Sequence, residues 1–169
     1  FSIATVVSMS VVAVLSPLLG AIADFGALKK KMIAASMGLG VLTLGAMAWI
    51  GHGQWRFALS LFFLSNIGVC ASLVFYESLL PHIASPEEMD RVSTAGYAMG
   101  YLGSGLLMAL HALWLQKPGW FGFPSTETAL RWVFFTSAAW WLAFSIPLLR
   151  RVAEPPPAAT TPRPRPSPN

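Results

Sequence analysis

Charge is what this sequence has least of. Of its 169 residues 11% are charged and 55% are hydrophobic. A soluble domain carries about 25% charged residues, so too few remain here to cover a soluble surface of this size. The net charge of +4 does not point to nucleic acid. The basic residues fall between apolar runs instead of lining one solvated face, which excludes that partner.

Cysteine is nearly absent. Cys70 stands alone inside an apolar run, which excludes an internal disulfide or a paired-thiol metal site and reads as a small buried hydrophobe. The three histidines do not converge. His52 and His82 fall in loops expected on opposite sides, and His111 lies about 25 Å into the fourth apolar run at ~1.5 Å per residue. HExxH, P-loop and GxSxG motifs are missing. The acidic cluster Glu87, Glu88 and Asp90 reads as a solvated helix face. No catalytic residue, metal or cofactor is expected, and the chain is not expected to be an enzyme. A basic region ahead of the first apolar run is also missing, and residue 1 is Phe1. A signal peptide is therefore not expected, and the chain is expected to be a piece of something longer.

Long apolar runs are what the sequence does have. About 20 apolar residues in a helix cross a hydrocarbon core of ~30 Å, and five runs qualify: 2–23, 32–51, 57–80, 94–115 and 132–149. They lack the two-residue alternation of barrel strands and are too long for them. The fold class expected is an all-α integral membrane protein with five transmembrane helices and the lipid bilayer as its first partner. From 152 to 169 the composition turns to Pro, Ala, Thr and Arg, which builds no core and is expected to be a disordered cytoplasmic tail or linker.

Loop charges set the direction. Lys29, Lys30, Lys31, Arg91, Arg150, Arg151, Arg163 and Arg165 belong to one side, and Arg56, Lys117 and Arg131 to the other. The positive-inside rule puts the first side in the cytoplasm and the N-terminus outside. Trp49, Trp55, Trp114, Trp120 and Trp132 then fall near the outer interface, where amphipathic rings prefer to sit. Trp140 and Trp141 lie mid-span. Ser85-Pro86-Glu87-Glu88 has the cap, proline and first-turn acids of a helix start. A short cytoplasmic helix through Arg91 is expected there, with Ser93 or Thr94 capping the fourth span.

Within the spans, Pro17 predicts a kink. Gly96, Gly100 and Ser104 recur every four residues, a stripe that lets helices approach closely. Polar side chains in a membrane are costly, so Asn66, Tyr97, Tyr101 and Ser104 are candidates to line a cavity. Glu77, near a span end, reads first as a local ion pair.

Gly20, Asp24 and the lysines Lys29, Lys30 and Lys31 resemble the cytoplasmic signature of the major facilitator superfamily, approximately G-x-x-x-D-x-x-G-R-K. Ala27 stands in place of its second glycine and Leu28 in place of its first basic residue. Phe75 to Ala84, Arg91-Val92-Ser93 and Gly96 to Gly103 resemble the branch related to the vacuolar effluxer of autophagy. The resemblance implies alternating access about a midplane site in a twelve-helix facilitator fold. It makes this chain about helices two to six, part of the N-terminal half, and makes Gly20, Asp24 and Lys29 to Lys31 a conformational latch. It implies a small-molecule substrate, such as an amino acid for efflux, and the remaining helices of a full-length transporter as partners. A bacterial inner membrane is expected before a vacuolar one. The alternative is a multi-pass scaffold or partner subunit that transports nothing.

Overall fold

The computed structural model describes residues 2–26 and 28–156, with the backbone alone at 22 and 24–26. It is an all-helical membrane protein, with no strand among the described residues. The helices are α1 (Ser2–Gly26), α2 (Lys29–Ala46), α3 (Trp55–Ile83), α4 (Met89–Gln116) and α5 (Thr126–Arg151). All five are long and apolar enough to cross a membrane. Short 3-10 turns, Met47–Trp49 and Pro118–Phe121, follow α2 and α4.

Most helices outrun the apolar stretches that announce them, because the backbone stays helical after the side chains turn polar. α1 passes through Pro17. A proline there leaves the carbonyl four residues back without its donor, and the Ser16 hydroxyl donates to that carbonyl, Ala13, at 3.0 Å. α5 begins at Thr126 because the Ser125 hydroxyl accepts from the Thr128 amide at 3.2 Å, a local N-cap.

The separate helix expected after Ser85 does not form. Residues 86–88 make a turn instead, closed by the Glu88 amide donating to the Ser85 carbonyl at 3.0 Å. The Ser85 hydroxyl donates to the Glu88 carboxylate at 3.2 Å. α4 begins only at Met89, with Glu88 at its N-cap position and no side-chain cap, so Ser85 does not start a helix, and Ser93 and Thr94 lie inside α4 and do not cap it.

α3 is the hub. It packs along α2 on one side and against α1 on another; α5 covers α2, and α4 leans on α5 while barely touching α3. The α2–α3 crossing needs glycine on both helices. A Cβ at Gly68 would stand 2.6 Å from the Gly40 nitrogen and 2.8 Å from the Ser36 carbonyl, and one at Gly40 would run into the Trp141 ring of α5. Backbone cannot move aside as a side-chain tip can, so three helices meet here only because Gly40 and Gly68 lack side chains. Below this crossing Val12, Ala23, Ile33, Ala71, Phe75 and Leu79 form the buried cluster.

Candidate functional site

The basic loop is built into its own bundle. α2 opens at Lys29 with no side-chain cap of its own at Leu28. The orphan amides of its first turn and its positive dipole end call for an anion. Glu154, 124 residues away, supplies it: both carboxylate oxygens accept from the Lys30 amide, at 3.0 and 3.2 Å. Val152 packs on the buried cluster and Pro155 is buried. The described start of the Pro-rich tail is thus held against α2, and 157–169 lie outside the described residues.

Lys29 is 7% exposed. Its ammonium donates to the Ser78 carbonyl at 3.1 Å and contacts His82 Nε2 at 3.0 Å, both near the end of α3. An ammonium only donates, so Nε2 of His82 is the acceptor. Lys30 is half-buried and Lys31 exposed. A Cβ at Gly20 would meet nothing within 4 Å. The Asp24 side chain lies outside the described residues. These contacts bring the α1–α2 connection, the end of α3 and the segment after α5 to one end of the bundle.

Where α4 diverges from α3 a cleft of about 310 Å³ opens, lined by Leu73 and Tyr76 from α3 and by Gly96, Tyr97, Gly100, Tyr101 and Ser104 from α4. Tyr97, Tyr101 and Ser104 sit at i, i+4 and i+7, one helical face. Asn66 is elsewhere, its amide donating to the Phe62 carbonyl of its own helix at 2.9 Å. The glycine stripe forms the cleft floor. A Cβ at Gly96 would lie 3.3 Å from the Tyr76 hydroxyl, and one at Gly100 would meet nothing within 4 Å. The Tyr97 hydroxyl donates to Glu77 Oε1 at 2.6 Å across the α3–α4 gap. Neither this bond nor the Glu154 cap is foreseeable from sequence. Both join residues far apart in the chain, and no local pattern announces them.

The opposite end is tied more loosely. His52 Nε2 lies 3.1 Å from the Glu127 carboxylate, which also accepts from Arg131 at 2.9 Å. These groups are largely exposed and contribute little. His111 is buried against α5, 2.9 Å from the Thr136 hydroxyl. Thr136 donates its own proton to the Trp132 carbonyl at 2.6 Å, so His111 Nε2–H is the donor to it. Trp49, Trp55, Trp120 and Trp132 stand exposed at this end, while Trp114 packs against His111, Phe121 and Phe123.

The geometry is that of a multi-pass membrane protein, a five-helix apolar bundle with a tyrosine-lined seam and a basic connection at one end. Comparison with known proteins agrees. The family model described as "Vacuole effluxer Atg22 like" matches residues 1–91 and 85–163. The chain belongs to that family, within the major facilitator superfamily. It is 31% identical over 148 residues to "Uncharacterized MFS-type transporter YxiO" of Bacillus subtilis (strain 168). That alignment takes in 86% of this chain and 34% of the relative, so the chain spans about a third of that protein's length. No solved structure matches.

Proposed function

We propose that this chain is a portion of a facilitator-type transporter that moves a small polar solute, amino acids being the first class to test, by alternating access. It performs no covalent chemistry. The α3–α4 cleft is part of the solute path, and the connection from Gly20 through Asp24 to Lys31 works as a latch at the cytoplasmic face. The observation that carries this reading is the family match over both segments whose motifs lie at that one end. Lys29 and Glu154 hold the latch loop to its own half, which leaves the exposed Lys31 to meet the rest of the transporter. The N-terminal end of α1 then faces outward, in a bacterial inner membrane.

The test uses the full-length protein. Lys31→Cys, in cells expressing it, is expected to react with a membrane-impermeant maleimide only after the membrane is opened. Labelling from outside would overturn the orientation. In proteoliposomes, radiolabelled amino acids are expected to leave faster than from protein-free vesicles, and equal rates across a panel of small solutes would overturn transport.

A further inference from the structure

We propose that the contact between Lys29 and His82 makes the latch sensitive to pH: a proton taken up by His82 from the cytoplasm expels the Lys29 ammonium and frees the α1–α2 connection from the end of α3. The proposal adds a regulation to the latch and rests on the latch reading for its purpose. The contact itself stands on geometry internal to the bundle, and owes nothing to a face that other helices would cover.

Lys29 is 7% exposed. Its ammonium lies 3.1 Å from the Ser78 carbonyl and 3.0 Å from His82 Nε2, in the last turn of α3. A buried ammonium is costly unless its protons find acceptors. Nε2 accepts only from a neutral imidazole whose proton sits on Nδ1. A second proton turns the acceptor into a donor and sets two positive charges against each other at 3.0 Å. The contact and the protonated imidazole therefore exclude each other. Histidine is the side chain that changes charge between about pH 5 and pH 8, so the imidazole and not the ammonium is the switch.

The carboxylates at this end are placed elsewhere. Glu154, from the segment after α5, accepts from the Lys30 amide. On α3 itself Glu77 accepts from Tyr97, and beyond it Glu88 accepts from Ser85. Glu87 and Asp90 are exposed. Among the described residues none of these forms an ion pair with His82. α1 brings Asp24, whose side chain lies outside the described residues. Lys30, Lys31, Arg150 and Arg151 add only positive charge. The sign follows from the exclusion. Closing the latch requires His82 without its second proton, so the closed form is favoured at high pH and lost as pH falls.

The test is hydrogen exchange of the full-length protein in lipid nanodiscs, read as protection factors so that the chemical pH dependence of exchange divides out. Protection of the first turn of α2 is expected to fall by about tenfold between about pH 8 and about pH 5.5, while the middle of α2 holds. Carboxylates ordinarily take up protons near about pH 4, below that window. His82→Gln keeps an uncharged acceptor that takes no proton, and its protection is expected to be the same at both ends of the range. Lys29→Gln removes the other cation and is expected to flatten the response as well, so it remains a test if His82→Gln fails to fold. Protection that ignores pH in the unaltered protein, or a full response in either variant, would overturn the proposal. The two readings fail separately. Solute flux through a protein whose latch ignores pH sinks this inference alone, and a pH-sensitive latch in a protein that moves no solute sinks transport alone.

Discussion

Two seams in this bundle are lined by glycine, and they behave in opposite ways. Between α2 and α3, Gly40 and Gly68 face each other so closely that a methyl group on either would strike backbone or the Trp141 ring. Between α3 and α4, Gly96 and Gly100 face a tyrosine hydroxyl and open space. The α2–α3 seam uses missing side chains to bring backbones together. The α3–α4 seam uses them to leave room. In sequence the α4 stripe is the stronger packing signal, because its small residues recur every four positions, whereas Gly40 and Gly68 sit on different helices with no repeat between them. A small-residue stripe shows where close approach is permitted. Whether it happens depends on what the facing helix brings.

Matched substitutions in the full-length protein can break this comparison. Gly68→Ala is expected to have the largest effect, lowering stability by about 2–3 kcal/mol, because the added methyl meets backbone that cannot yield. Thermal unfolding followed by circular dichroism in detergent reads it directly. Should the melting temperature stay unchanged, the closed seam is not closed. Glu154→Ala comes next, at about 1 kcal/mol, the usual cost of a lost helix cap. Hydrogen exchange at the Lys30 amide should speed up while amides in the middle of α2 stay as they were. Thr136→Val removes the acceptor that His111 uses on α5 and is expected to cost about 0.6 kcal/mol, the average for a hydrogen bond between membrane helices. Gly100→Ala should be the mildest, within about 0.5 kcal/mol either way. A cost there equal to that of Gly68→Ala would mean another helix of the whole transporter closes the α3–α4 face.

The spans are readable because crossing a bilayer demands a run of apolar residues, and that demand is local. Their ends are less so. α4 starts at Met89 and α5 at Thr126, ahead of the apolar runs, since hydrogen bonding continues where hydrophobicity stops. Tyr97, Tyr101 and Ser104 fall on one face by spacing alone, and the structure sets all three along one cleft. Asn66 shows the limit of that reasoning. A polar side chain in a span must find a partner, but the sequence does not say whether it lies on the same helix or another, and here it is the Phe62 carbonyl one turn back.

Sequence by itself determined the membrane class, the five spans, the loop chemistry and the family, each written in residues close together along the chain. Tertiary structure alone decided which glycines touch, that Glu154 caps a helix 124 residues away, that Lys29 turns inward to the end of α3, and that α4 parts from α3 to open a cleft beside Glu77. The physical reason is the range of the forces involved. Hydrophobic length and helix propensity act over neighbouring residues. Close packing and the pairing of buried polar groups act between surfaces that only folding brings together.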